Sequence, residues 1–322
     1  MAKYAKIVGL CFETVANNLE VKDVSCYKEK IKDRIMTQLN NCLCENPDLI
    51  ITPECCNRVG EWTSAQKQDF YRIYGDEFQK MISDFAKEHK VNVAYACGRY
   101  LDDGSEYPYR NSVVYYDRNG EIAGIYDKNL LVPGEHTVTK IGFGELPEKL
   151  IQLDIGSVAT AICFDLHDER LLDRYAELQP DLIVFSSFFT GNTWREMWAL
   201  RCRAYMASSI VPHMNGRFID PFGGLLATST DVTRYWAYKV NLDYKVIHSD
   251  GNEDWRSDKL SKAKAKYGDG FDFYGPTGTG CRVIQCNMED KTIDDIIKEF
   301  EIETYEEYFG RAKALRKEYF GE

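Results

Sequence analysis

The chain has 322 residues, a hydrophobic fraction of 44% and a formal net charge of −11. That length admits one large domain or two small ones, and the apolar share excludes wholesale disorder. The acidic balance argues against a nucleic acid or an anionic membrane surface as partner, since both call for a basic face.

The first segment, YAKIVGLCFET, reads as a strand. Residues 24–45 carry apolar positions near a 3.6-residue period and read as a helix. PDLIITPECC follows as a turn and a short continuous apolar run ending at Pro53 and Glu54, the pattern of a strand buried on both faces. FQKMISDFAKEHK reads as a second helix and VNVAYACGRY as a second buried strand. RNSVVYYDRNGEIAGIYDKNLL reads as two strands joined by a turn at Asn119-Gly120. GSVATAIC is a strand ending on Cys163, and DERLLDRYAELQ and PDLIVFSSFF read as helix and strand.

WREMWALRCRAYMASS is expected as one long helix, IVPHMNGRFIDPFGGLLATST as strand, turn and strand, and RYWAYKVNLDY as an outer strand. Residues 248–280 are polar and rich in Gly and Asp, and read as an excursion or arm. Residues 292–320 hold two amphipathic helical pieces, one with Ile293, Ile296, Ile297 and Phe300 on a stripe, the other marked by Tyr305, Tyr308, Phe309, Ala312 and Leu315. The expected division is one domain over residues 1–280 and a tail over 281–322 that docks on the domain or a neighbouring subunit. Alternating helices and strands with inserted hairpins indicate two sheets covered by helices, an α/β layered architecture.

The 11 cysteines are scattered rather than spaced as a framework. MAKYAKIVGLCFE is too short an apolar run for a signal peptide, so free thiols in a cytoplasmic protein are expected. No apolar stretch approaches the roughly 18 residues of a spanning helix. Cys42-x-Cys44 and the adjacent Cys55-Cys56 lack the gap of a zinc site, and no His pair stands at helical spacing, so no metal is expected. GPTGTG at 275–280 precedes a short apolar run rather than a helix and is read as a turn, not a phosphate loop.

Three strand ends carry reactive groups: Glu54, Lys128 and Cys163. In layered α/β folds the carboxyl ends of neighbouring strands gather at one edge. A carboxylate there can take a thiol proton, the thiolate can attack a carbonyl-like carbon, and an ammonium can stabilise the oxyanion. An unperturbed thiol is mostly protonated at neutral pH, so such a cysteine needs a base or a cation beside it.

TPE, YDKNLLVPGE and AICFD, in that order, resemble the nitrilase superfamily of carbon–nitrogen hydrolases over roughly residues 5–245. RNSVVYYDRNGEIAGIYDK and GRFIDPFGGLLA look like that family's approach to its lysine and its penultimate hairpin. The resemblance implies a four-layer αββα sandwich of two mixed sheets flanked by helices. It implies Glu54 as general base, Lys128 as oxyanion stabiliser, Cys163 as nucleophile and Glu135 as the group that positions the lysine and substrate, with the Phe164 N–H completing the oxyanion site. A thioester would form and be hydrolysed, without cofactor, on a small-molecule amide in a homodimer or larger assembly.

Phe164-Asp165 resembles the amidase branch, where nitrilases carry Trp-Glu. Leu130 stands where N-carbamoyl hydrolases carry His, His167 where many members carry Arg, and Met206 where the long helix usually carries Glu. Phe188, Phe189, Asn192 and Trp194 are the expected substrate-binding residues, with Tyr126 and His136 possible. Cys55 or Cys56, following the base directly, could line the pocket or simply pack. The rival readings are a nitrilase or N-carbamoyl hydrolase with the same triad, an acyltransferase that passes the thioester to an amine, and a silent binding protein on the same fold.

Overall fold

The computed structural model describes residues 3–15, 23–211, 216–254, 257–276 and 278–321. Residues 212–215 of the expected strand–turn–strand and Thr277 of GPTGTG lie outside the described residues. By internal packing the chain divides into Ala5–Lys239 and a second unit, Val240–Glu322 with Met1–Tyr4. The division thus falls ahead of the 280/281 boundary expected from sequence.

In the larger unit, β1 (Tyr4–Leu10), β2 (Leu49–Ile51), β3 (Asn92–Tyr100), β4 (Tyr109–Tyr116), β5 (Ile122–Asp127) and β12 (Tyr235–Asn241) form one sheet in the order β12-β1-β2-β3-β4-β5. Strands β1, β2 and β3 run parallel, and β3, β4 and β5 pair antiparallel. The second sheet has the order β11-β10-β9-β8-β7-β6, from β6 (Ile151–Leu153), β7 (Gly156–Ile162), β8 (Leu182–Ser187), β9 (Tyr205–Ile210), β10 (Arg217–Ile219) and β11 (Leu225–Thr228). Its β7, β8 and β9 are parallel and the outer pairs antiparallel.

Strand alternation explains the layering, because successive side chains point to opposite faces. Val93, Tyr95 and Cys97 of β3, with Val114 and Tyr116 of β4, share a core with α1 (Lys28–Asn41) and α2 (Ser64–His89) through Ile31, Ile35, Phe70, Phe78, Ile82 and Phe85. The intervening positions face the other sheet: Tyr115 Oη lies 2.6 Å from Thr160 Oγ1, and Ser186 Oγ donates to the Thr52 carbonyl at 2.8 Å. On the far side, α4 (Glu169–Leu178) and α5 (Thr193–Cys202) bury Leu171, Tyr175, Trp198 and Ala199. The order helix, sheet, sheet, helix is the expected four-layer α/β sandwich. Burying each such apolar side chain contributes about 1.5–3 kcal/mol, which makes the paired faces the main stabilising term.

Helix α2 starts at Ser64, well before the expected Phe78. Thr63 accepts from Gln66 N, and the Gln66 side chain answers the Thr63 N–H, a capping box that opens the helix in a polar stretch. The Asn119-Gly120 turn is as expected: Gly120 has φ +78°, and a Cβ there would sit 2.5 Å from the Ser83 carbonyl oxygen.

The long helix expected over WREMWALRCRAYMASS is corrected. Helix α5 ends at Cys202, Arg203 turns left-handed at φ 56°, and Tyr205–Ile210 is β9, between β8 and β10. Tertiary pairing overrides helix propensity there, because a wholly buried segment satisfies its backbone groups equally well in a central strand. Met206 accordingly belongs to β9 rather than to a helix.

In the second unit, β13 (Tyr244–His248), β16 (Phe271–Tyr274) and β17 (Cys281–Cys286) form a sheet in the order β13-β17-β16. A small hairpin of β14 (Glu253–Asp254) and β15 (Ser257–Asp258) precedes α6 (Lys259–Tyr267). Residues 248–280 are therefore not simply an arm: Leu260, Ala263 and Phe271 enter a core with Ile247, Ile284, Ile293 and Ile296. The apolar stripe expected on residues 293–300 lies on α7 (Ile293–Phe300), and α8 (Tyr305–Phe320) has no buried residue. Among the described residues no helix is long and apolar enough to cross a membrane.

Candidate active site

The three reactive residues lie just beyond strands of the larger unit. Glu54 lies three residues beyond β2, Lys128 follows β5 and Cys163 follows β7. Glu135 sits on α3 (Pro133–Thr137), where its Oε2 accepts from the Val132 N–H at 2.8 Å.

The structure brings these four together. Lys128 Nζ is 2.9 and 3.0 Å from the two Glu135 oxygens and 3.4 Å from Glu54 Oε1. Glu54, 3% exposed, also accepts from Asn111 Nδ2 at 2.8 Å and, through Oε2, from the Phe188 N–H at 3.0 Å. The Cys163 thiol lies within electrostatic reach of Glu54, Lys128 and Ser187. Burial disfavours the Lys128 ammonium, but the Glu54 and Glu135 carboxylates overcome that and raise its pKa, so the amine stays charged. Burial first and the Glu54 carboxylate second push the Cys163 thiol up to about 12, against the opposing pull of Lys128. The resting thiol is therefore neutral, and the Glu54 carboxylate that acts on it can take its proton.

Cys163 itself is in the left-handed region, φ 51°. A non-glycine residue held there stores local strain, and such positions cluster at functional sites. Asp165 holds it. Its carboxylate, fully buried, accepts from the Ile162, Asn129 and Leu130 N–H groups at 2.9, 3.0 and 2.6 Å and from Tyr126 Oη at 2.7 Å. It thereby ties the cysteine turn to the lysine turn. Burial pushes Asp165 up to about 7, although the Leu130 and Ile162 N–H groups and the Tyr126 hydroxyl oppose the rise.

Of the expected substrate-binding residues, Phe188 is half-buried beside the base. Phe164, Phe189 and Trp194 gather around His167, with ring centroids 5.0, 6.1 and 4.8 Å from it. Asn192 is exposed and accepts locally from Thr190 Oγ1. Tyr126 is committed to Asp165. His136 stacks on Tyr107 at 4.2 Å, its Nδ1 2.9 Å from the Ile141 carbonyl. Cys55 lines a small cavity next to Asn111 and Glu135, whereas Cys56 packs in the core.

Asn111 went unrecognised in the sequence, and so did the anchoring part that Asp165 plays. Asn111 bridges the two glutamates, donating to Glu54 at 2.8 Å and facing Glu135 at 3.4 Å. Its only sequence signal is its place at the start of the hairpin leading to Lys128. Asp165, two residues after the cysteine, was visible as a flank without a partner.

A larger cavity of about 840 Å³ runs along β5 and residues 143–152, and none of Glu54, Lys128 and Cys163 lines it. Among the described residues no group of three or more His, Cys, Asp or Glu side chains could hold a metal ion.

A family model described as carbon–nitrogen hydrolase matches residues 24–214, more than half of the chain. Among curated relatives, a chloroplastic omega-amidase of Arabidopsis thaliana is 22% identical over 260 residues, covering 69% of this chain and 64% of its own. A nitrilase and fragile histidine triad fusion protein of Drosophila melanogaster is 24% identical over 169 residues, covering 50% and 35%. The chain thus spans less than two thirds of the length of either relative. Among solved structures, a carbon–nitrogen hydrolase from Helicobacter pylori G27 aligns with TM-score 0.62 at 15% identity, covering 74% of this chain and 90% of the other. An amidase from Nesterenkonia sp. AN1 aligns with TM-score 0.63 at 13%, with the same coverages. At such identities these two speak for the fold, which they share; taken with the family model, they leave one assignment for the layered sandwich and its buried carboxylate, ammonium and thiol: the chain belongs to the carbon–nitrogen hydrolase family.

Proposed function

We propose that the protein hydrolyses a non-peptide amide of a small molecule through a thioester on Cys163. The observation that carries this reading is the convergence of three groups that follow strands: the Glu54 carboxylate contacts the Lys128 ammonium, and both act on the Cys163 thiol. The amidase and omega-amidase among its relatives, and Phe164-Asp165 after the cysteine, favour an amide over a nitrile.

Glu54 takes the thiol proton as Sγ bonds to the amide carbon, and the carbonyl π pair moves onto oxygen. Lys128 Nζ and the Phe164 N–H stabilise that oxyanion in a site shielded from water, where such charge is worth most. The oxyanion collapses, the C–N bond breaks, and protonated Glu54 gives its proton to the leaving nitrogen. Water, deprotonated by Glu54, then attacks the thioester. The C–S bond breaks, the thiol regains its proton, and the carboxylate leaves. Glu135 does not react: its two oxygens orient the Lys128 ammonium.

Cys163→Ala should abolish ammonia release from a panel of simple amides, carbamoyl amino acids and nitriles while far-ultraviolet circular dichroism is unchanged. Wild-type enzyme trapped with amide should gain the mass of one acyl group on Cys163. Turnover retained by the alanine variant would overturn the mechanism.

A further inference from the structure

Glu54 and Glu135 together carry one more charge than Lys128 cancels, and that ammonium lies nearer Glu135, at 2.9 and 3.0 Å, than Glu54, at 3.4 Å. The Arg58 charge acts on both carboxylates and that of Lys67 on Glu135. A charge at a distance stabilises a carboxylate without fixing where its oxygens point. Aim comes from hydrogen bonds, which are directional. The Phe188 N–H holds Glu54 Oε2 at 3.0 Å. On Oε1 the Asn111 NH₂, at 2.8 Å, is closer than Lys128. The same NH₂ faces Glu135 Oε1 at 3.4 Å.

Asn111 is 2% exposed, on β4 between β3 and β5, and its carbonyl accepts from the Lys128 N–H at 2.9 Å. A carboxamide can still turn over, exchanging Nδ2 for Oδ1 with almost no change of shape. Turned over, it would present a lone pair to two carboxylates. Cys55 decides the orientation, because its thiol donates to Asn111 Oδ1 at 3.4 Å. Burial pushes that thiol up to about 11, although the nearby Arg58 charge opposes the rise, so at neutral pH it carries the proton it donates. Cys55 directly follows the base and sits in the left-handed region, φ 45°. A non-glycine residue held there is strained and persists only where its surroundings fix it.

We propose that Asn111 and Cys55 are positioning residues of this enzyme: the Cys55 thiol fixes the Asn111 carboxamide, whose NH₂ then spans Glu54 and Glu135 and holds Glu54 in line with the Cys163 thiol. This rests on the amidase reading with Glu54 as base. Neither residue exchanges a proton or a bond with the substrate. Without the bridge, two neighbouring carboxylates can share a proton instead, and a Glu54 that holds a proton cannot take another.

The test measures kcat and KM across pH, on whichever simple amide is turned over, for Asn111→Leu, Cys55→Ala, Cys55→Ser, and Asn111→Leu combined with Cys55→Ala. Leucine is uncharged like asparagine, so the other groups that face the carboxylates, Lys128, Arg58, Lys67 and the Cys55 and Cys163 thiols, are left in place. Asn111→Leu should lower kcat roughly ten- to a hundredfold, part of the worth of a positioned base, with KM within about threefold, and its activity should fail at a higher pH on the acid side. Cys55→Ala should lower kcat roughly three- to tenfold, the worth of one neutral hydrogen bond, and Cys55→Ser should recover most of that. Because Cys55 acts through Asn111, Cys55→Ala should lower kcat no further in the combined variant. An acid side that does not move, a full Cys55→Ala effect in the combined variant, or Cys55→Ser no better than Cys55→Ala overturns the assignment and leaves the amidase reading standing. Circular dichroism identifies a misfolded variant. If Asn111→Leu is one, Asn111→Ala replaces it, and if both are, the two Cys55 variants decide. If no amide is turned over, the amidase reading fails instead, and iodoacetamide labelling of Cys163 at neutral pH decides the positioning role. Asn111→Leu should slow that labelling at least about threefold, and an unchanged rate refutes the role.

Discussion

Glu54→Gln removes the proposed base and little else. The carboxylate accepts from Asn111, from Lys128 and from the Phe188 N–H, and its charge acts on the Cys163 thiol. With the thiol pushed up to about 12, its thiolate fraction near pH ~7 is on the order of 10⁻⁵, so unassisted attack is negligible. The substitution also removes the like charge that raises the thiol, leaving Lys128 to lower it. The net loss in kcat/KM is therefore expected between about 10² and 10⁴, the usual worth of a positioned base. The pH profile is the sharper readout. Wild type should be flat across neutral pH, whereas the glutamine variant should gain about tenfold per pH unit until its thiol ionises. The amide also presents an NH₂ group to one of three donors, which costs about 1–3 kcal/mol of stability. Ammonia release between mildly acidic and alkaline pH, with urea unfolding as the folding control, measures both effects. A variant retaining more than about a tenth of wild-type activity, or one with a flat profile, would refute Glu54 as the base.

Lys128→Met leaves the buried Glu54 and the half-buried Glu135 without their shared cation, so urea unfolding should show a loss of about 3–5 kcal/mol and turnover should fall by at least about 10²; unchanged stability would contradict the charge accounting. Asp165 concerns stability and its pH dependence. Its carboxyl is raised to about 7 in the folded state from about 3.9 unfolded, so its favourable contribution is complete below pH ~4 and is lost as pH rises through about 7. Wild type should lose stability over that window by up to about 4 kcal/mol from this group. Asp165→Asn should flatten that dependence; a slope unaltered by the substitution would remove Asp165 as its source. We also propose a homodimer or larger assembly, because Trp194, Met197 and Leu200 of α5 expose 40%, 37% and 54% of their surface. Light scattering should report more than one chain, and Leu200→Glu should lower the mass; a monomeric wild type would exclude it.

Much of the site was readable because each reactive residue follows a recognisable strand. A continuous apolar run ending in Pro53-Glu54, a hairpin ending in Lys128 and a run ending in Cys163 need only local pattern. The misread segments are those where pattern is ambiguous. Tyr205–Ile210 is buried along its whole length and does not alternate, so periodicity could not tell a buried strand from a helix, and its neighbours β8 and β10 decided. Residues 248–280 looked like an arm because their few apolar side chains, such as Leu260 and Phe271, find partners only from the chain's last third.

Alone, the sequence determined the two-sheet sandwich and offered an acid, an amine and a thiol at strand ends as candidates that should converge. These readings follow from nearest neighbours along the chain: side-chain period and strand ends. Only the tertiary structure decided that Asn111 bridges the glutamates and that Asp165 clamps the cysteine turn to the lysine turn. Those facts depend on distances between segments tens of residues apart, set by strand register, and no local pattern encodes them.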